Sequence, residues 1–194
     1  MNKKGINISL VISLFILIVL ISLIVIFFKQ PPKVEKQNLE GGSIILTYVD
    51  DSSVLVLDEV TPRSDEEGIS NIAADQYFDF TVTSDIVDAN ELDFEVGINC
   101  NKETTINCEM IKVYLEEMVD GSYVRVKDPL LFKPLEKESD LGTKKGSMIL
   151  YNGKDKKSTY HNFRLRAWIN PDSSLDPALT YKIVLDVNIN GEAK

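Results

Sequence analysis

The sequence predicts an all-β fold, an antiparallel β-sandwich of Ig-like or jelly-roll-like type, preceded by one N-terminal transmembrane helix. Two observations carry this. Residues Ile8 to Phe28 form an unbroken apolar run. From Ser43 onward the pattern changes to apolar–polar alternation with a period of two, broken by turn signals, which marks half-buried strands. The implied organisation is a short tail at 1–5, a transmembrane signal anchor at 6–28, a linker or stalk at 29–42, and an extracytoplasmic domain at 43–194.

The apolar run contains no charge, no Pro and no Gly. As a helix it would span about 30 Å, the thickness of the hydrocarbon layer. Its few serines can bond back to the helix's own carbonyls. Two other readings compete with an uncleaved anchor. A cleaved signal peptide has a shorter core and a small-x-small cleavage site, whereas this segment ends in Ile26-Phe27-Phe28-Lys29-Gln30-Pro31-Pro32. A pilin-like subunit would be processed after Gly5 in Lys3-Lys4-Gly5, but pilins carry Glu at the fifth mature position and here that residue is Leu10. Lysines flank the run on both sides, so the positive-inside rule does not settle orientation by itself. The cysteines and the β pattern place the N-terminus in the cytoplasm and the large domain outside the cell membrane. Lys29 to Gly42, stiffened by Pro31-Pro32, reads as an extended spacer.

Candidate strands are Ile44–Val49, Val54–Val60, Gln76–Thr83, Leu92–Asn99, Glu109–Met118, Tyr123–Lys127, Ser147–Asn152, Tyr160–Asn170 and Tyr181–Asn190. Leu92, Phe94, Val96 and Ile98 share one face. So do Phe163, Leu165, Ala167 and Ile169, and again Tyr181, Ile183, Leu185, Val187 and Ile189. One apolar face per strand builds the inside of a sandwich. Asp120-Gly121 and Asn152-Gly153 read as hairpin turns. Ser64-Asp65-Glu66-Glu67 has the spacing of a capping box and predicts a helix from there to about Ala74.

The chain carries a formal net charge of -9, with 21 basic and 30 acidic residues. Residues 1–32 hold three lysines and no acid, so the domain is more acidic still. That argues against nucleic acid as a partner. Two cysteines and one histidine are too few for a structural zinc site of the Cys/His type. Cys100 and Cys108, at the ends of successive strands, are expected to close a disulfide across NKETTIN outside the cytoplasm, or to stay as thiols inside it. His161 has no nucleophile elbow beside it and reads as a strand-surface residue. With no H-E-x-x-H motif and no phosphate-binding glycine loop, no enzyme activity is expected and no catalytic residue is assigned. No cofactor is required; a calcium site is the one metal candidate, at Asp85, Asp88, Asn90 and Asp93, with Glu91 beside them. Its spacing differs from the EF-hand pattern, and solvated loop acids are the simpler reading. Arg164, Arg166 and Trp168 form an exposed interaction face or, if the strand is central, Trp168 packs in a second core layer.

Three stretches resemble small signal-anchored surface proteins of low-GC Gram-positive bacteria: Leu57-Asp58-Glu59-Val60-Thr61-Pro62-Arg63-Ser64-Asp65-Glu66-Glu67-Gly68, Tyr77-Phe78-Asp79-Phe80-Thr81-Val82, and Phe163-Arg164-Leu165-Arg166-Ala167-Trp168-Ile169 with Thr180-Tyr181-Lys182-Ile183. More distantly the layout resembles the camelysin and biofilm matrix-fibre family, whose members place a β-sandwich behind an export segment. The resemblance implies a surface protein and supplies no catalytic residue. The expected function is therefore structural: a membrane-anchored sandwich that contacts another surface protein or itself. The rival is a ligand-binding module for calcium or a cell-wall glycan.

Overall fold

The structure is a computed structural model. It describes residues 16, 17, 19, 32–49, 52–70 and 77–194. The chain divides into two units, Met1–Pro32 and Lys33–Lys194. In the first, Ile16, Leu17 and Val19 are helical and exposed. Apart from those three, the expected span at 8–28, the tail at 1–5 and the Gly5 processing motif lie outside the described residues. Among the described residues no helix is long and apolar enough to cross a membrane.

The second unit is all-β, two antiparallel sheets packed face to face. Its strands are β1 (Val34–Leu39), β2 (Gly42–Tyr48), β3 (Val54–Val60), β4 (Tyr77–Ile86), β5 (Leu92–Cys100), β6 (Ile111–Val119), β7 (Ser122–Arg125), β8 (Leu130–Leu131), β9 (Met148–Asp155), β10 (Thr159–Ile169) and β11 (Tyr181–Ala193). One sheet has the order β1-β2-β4-β10-β6-β7, with β8 also on β6; the other runs β3-β11-β5-β9. The expected faces are the ones that meet. Leu92, Phe94, Val96, Ile98, Phe163, Leu165, Ile169, Ile183 and Leu185 are completely buried, and each such side chain contributes about 1.5–3 kcal/mol through burial. Phe78, Phe80, Phe163 and Tyr151 form a chain of tilted aromatic contacts through this layer.

Two sequence expectations are corrected. The stalk at 29–42 does not persist to Gly42, because residues 34–39 form edge strand β1, paired with β2 from Val34↔Thr47 to Leu39↔Gly42. Gly41, at φ +89°, turns this hairpin. The alternation of VEKQNL is too polar to mark a strand by hydrophobicity; backbone pairing to β2 holds it. Asn152-Gly153 is not a turn. It lies inside β9, where Gly153 pairs with Phe94, and a Cβ at Gly153 would collide with the Phe94 ring. The glycine therefore makes room for a buried ring. Asp120-Gly121 does turn a hairpin, with positive φ at both residues (50° and 81°), as the type I′ turn requires.

The helix α1 (Asp65–Ser70) starts where the capping box predicts. The Glu67 backbone N–H donates to Ser64 Oγ at 3.3 Å, and the Ser64 N–H donates to Glu67 Oε2 at 2.9 Å. These bonds, with the backbone one foremost, hold the Glu67 carboxyl below its usual range. The expected continuation to Ala74 lies outside the described residues.

Candidate functional site

The core-facing rows of three neighbouring strands turn polar at the same end. In β4 the row Phe78, Phe80, Val82 continues to Ser84. In β6 the row Ile111, Val113, Leu115 continues to Glu117. In β10 the row Leu165, Phe163 leads back to His161. The opposite sheet answers with Asp155 at the end of β9. His161 Nδ1 lies 2.6 Å from Glu117 Oε1, and its Nε2 lies 3.2 Å from Asp155 Oδ1. Fully buried Ser84 donates its hydroxyl to the other Asp155 oxygen. The rings of Phe94, Tyr151 and Phe163 surround the imidazole at 5.5, 6.1 and 5.9 Å between centroids. Burial, followed by the carboxylates of Glu117 and Asp155, pushes the Tyr151 phenol up.

This order of contacts decides the chemistry. A hydrolytic serine needs the imidazole as its base. Here Asp155 stands between Ser84 and His161, and Ser84 is sealed from solvent. The network instead ties one sheet to the other: the two ring nitrogens of His161 each lie against a carboxylate, Glu117 from one sheet and Asp155 from the other. His161 is thus not the strand-surface residue expected from its neighbour Tyr160; it shares the inward parity of Phe163 and Leu165. Outside it, Lys154, Lys156, Lys157 and Thr159 rim an open hollow of about 580 Å³.

The calcium candidates do not assemble. Asp93 accepts from Lys194 Nζ at 2.9 Å and lies 3.2 Å from Lys154 Nζ, which also takes Glu91 at 2.9 Å. Asp85 accepts from the Ser158 hydroxyl. The N–H of Asn90 donates to the Lys194 carbonyl, and Asp88 uses its N–H on the Gly41 carbonyl. Lysine ammoniums lie against two of these acids, Lys154 and Lys194 at Asp93 and Lys154 at Glu91. Among the described residues no group of three or more His, Cys, Asp or Glu side chains is arranged to hold a metal. The hydrogen bond from Lys194, ahead of that from Lys154 and against the opposing effect of burial, holds the Asp93 carboxyl below its usual range.

Arg164, Arg166 and Trp168 do not present an open interaction face, because β10 is central and its outer side is covered. Trp168 is 2% exposed and packs on Gly68 of α1, where a Cβ would overlap the indole. Arg164 lies between Tyr77 and Tyr123, its guanidinium carbon 3.7 and 4.0 Å from the two ring centroids. It also forms a bidentate pair with Asp79 at 2.8 and 2.7 Å, which strengthens its hold on its proton. Arg166 is 4% exposed and reaches Glu116 at 3.1 Å. The packed-layer alternative describes Trp168.

Cys100 and Cys108 are joined by a disulfide with a Cα separation of 6.2 Å. It closes the loop between β5 and β6, from the last residue of β5 to the first of the 3₁₀ turn Cys108–Met110.

Sequence reasoning also missed the segment 132–147, between β8 and β9. It starts at Phe132, buried in the core, and from Ser139 to Ser147 lies on the outer face of the four-stranded sheet, bound through Ser139 Oγ to Glu95 at 2.6 Å, Thr143 Oγ1 from Asn190 Nδ2 at 3.1 Å, and Ser147 to Asn99. The readable signal was outward polarity without charge, in Asn99, Asn188 and Asn190. No protein-family model matches this chain, and no curated protein matches it.

Proposed function

We propose that this chain is a single-pass, membrane-anchored structural or interaction protein. Its N-terminus is cytoplasmic, and its β-sandwich is presented outside the cell membrane for contact with another surface protein or with itself. The observation that carries this reading is the Cys100–Cys108 disulfide. A bridge of this kind suits an oxidising compartment, and it follows an apolar segment long enough to span a bilayer. The network at His161 supports a structural role, since its groups are spent on joining the sheets. Edge strands supply the means of contact: β9 pairs with β5 on one side and β3 with β11 on one side among the described residues, and open strand edges accept strands from partners. Successive strands from β2 to β6 change sheet at each connection, which is nearer to a jelly roll than to an immunoglobulin fold. The likeness to signal-anchored surface proteins and to the camelysin and matrix-fibre family fits the same reading.

The test combines intact mass with cross-linking. Protein recovered from its native membrane should have the full-length mass less two hydrogens. It should cross-link on the cell surface to itself or to one partner, through residues of the open edges. A mass beginning after Gly5 would replace the anchor with pilin-type processing, and one beginning after Phe28 with release. Two free thiols on an intact chain would place the domain in the cytoplasm. The calcium alternative predicts a rise in melting temperature with millimolar calcium; with Asp93 and Glu91 held by lysines, no rise is expected.

A further inference from the structure

Beside the edge strands, the outer face of the four-stranded sheet carries a separate feature. Connections longer than about 12–15 residues with no secondary structure are uncommon, and ordered ones usually serve a function. Residues 132–147 form such a connection, ordered by its bonds to the sheet. Gly142 and Gly146, at φ +92° and +89°, shape its return. Thr143 is completely buried and Ser147 nearly so, although both are polar. Gly97 lets the segment settle: a Cβ there would stand 2.6 Å from Asn188 Oδ1 and 3.2 Å from Thr143 Cγ2. What remains between segment and sheet is a cavity of about 180 Å³ lined by Asn99, Lys144, Ser147, Asn188 and Asn190. At about 30 Å³ per water, it holds a group of a few non-hydrogen atoms.

The hydrogen-bonding capacity left over in this cavity is mostly donor. Asn99 Oδ1 is taken by the Ser147 hydroxyl, which leaves its Nδ2. Asn188 Oδ1 receives a long bond from Asn190 Nδ2 at 3.5 Å, while Asn188 Nδ2 is buried without a partner among the described residues. Lys144, exposed at the rim, forms no ion pair among the described residues. Two amide N–H₂ groups and an ammonium suit an acceptor that carries negative charge. On the same face Glu95 accepts from Ser139 at 2.6 Å and Asp186 from Asn101 at 3.1 and 2.9 Å, while Asn190 Oδ1 and Glu138 Oε1 lie to the side of Gly142, each 4.0 Å from where its Cβ would stand. No aromatic ring lines the cavity, so it offers no stacking surface to a sugar.

We propose that this cavity binds a carboxylate, with Asn99 and Asn188 donating to its oxygens and Lys144 closing the rim over its charge. A free hydroxy acid and the C-terminal carboxylate of a peptide share this chemistry. The experiment follows the side-chain amide resonances of the ¹⁵N-labelled full-length chain in detergent. It is titrated with lactate, with trialanine, and with trialanine amidated at its C-terminus. Lactate and the free-acid peptide should shift the Asn99 and Asn188 resonances at millimolar concentration, and the amidated peptide should not. Lys144→Met, at an exposed position that leaves the fold intact, should weaken binding about tenfold, as loss of one charge-assisted contact does. Tighter binding of trialanine than of lactate assigns a chain terminus; equal binding assigns a free acid. Equal shifts from the amidated peptide, absence of shifts up to about 10 mM, or binding unchanged by Lys144→Met would each overturn the proposal.

Discussion

At His161, the contribution of one side chain can be separated from that of the core around it. Its ring bridges Glu117 and Asp155, which come from different sheets, and the imidazole is only 16% exposed. Replacing it with Leu leaves two facing carboxylates without the polar ring between them. Removing one partner of such a buried pair costs about 3–5 kcal/mol; partial exposure lowers the expectation for His161→Leu to about 2–4 kcal/mol. Ser84→Ala removes one bond to Asp155 and should cost about 1–3 kcal/mol. Urea unfolding of both variants measures this, and a loss for His161→Leu no larger than for Ser84→Ala would remove the cross-sheet role. Asp93 gives an acid counterpart. Its folded carboxyl titrates below the unfolded one, so its contribution is present above the ordinary carboxyl range, near pH 4, and is lost as pH falls through the folded value. Asp93→Asn should therefore flatten the acid limb of the stability curve. The chemistry at His161 was partly legible. Parity places it with Phe163, Glu117 with Leu115, and Ser84 with Val82, all facing inward. What the sequence did not reveal is that these rows end at the same height, because that depends on registers such as His161↔Val82 and Phe163↔Glu117.

Elements whose apolar residues alternate along the sequence were readable: β5, β10 and β11 are where that alternation places them. Elements held by backbone pairing or by a single close approach were not. Strand β1 has two charged residues, Glu35 and Lys36, and no continuous apolar face, so nothing in VEKQNL distinguishes it from a spacer until its pairing to β2 is seen. Asn-Gly at 152–153 is a strong turn signal, yet Gly153 is there for the ring of Phe94. A contrast between two glycines tests this. Gly121 sits at φ +81° with open space around its Cβ direction, so Gly121→Ala should cost about 1 kcal/mol for backbone strain alone. Gly153→Ala pushes a methyl into Phe94, which itself touches Tyr151 and His161, and overpacking of this kind costs about 1–3 kcal/mol. Denaturation midpoints should therefore shift further for Gly153→Ala than for Gly121→Ala. The reverse order would mean that Asn152-Gly153 acts through its backbone after all.

For the whole molecule, stability depends on the two sheets remaining pressed together, and the disulfide is not the main support of that contact. The Cys100–Cys108 bridge closes a loop with a sequence separation of 8, which the chain-entropy model values at about 2–3 kcal/mol. Reduction should lower the unfolding free energy read from urea denaturation by that amount while the domain stays folded. The tyrosines report on the packing itself. Tyr48 of β2 and Tyr151 of β9 belong to the packing between the sheets, while Tyr114 of β6 and Tyr123 of β7 lie on the outer face beside Arg166 and Arg164. In each, burial is the leading cause that pushes the phenol above its ordinary value, with neighbouring carboxylates adding to it. Once the chain unfolds, these phenols ionise near pH 10, whereas the folded state keeps them protonated to higher pH. The folded state then binds more protons than the unfolded one, so stability falls as pH rises above about 10. Several groups titrate together, so the loss should be steep. Tyr48→Phe should reduce that slope, because Tyr48 is fully buried and carries the largest shift. Its hydroxyl gives a long 3.4 Å bond to the Val187 carbonyl and also faces the Glu35 side chain; neither is a strong tie within the core, so the variant should stay folded at neutral pH. An unfolding free energy that is flat from neutral pH to well above 10, or a slope unchanged by Tyr48→Phe, would show that the interface between the sheets is wetter than these burials require.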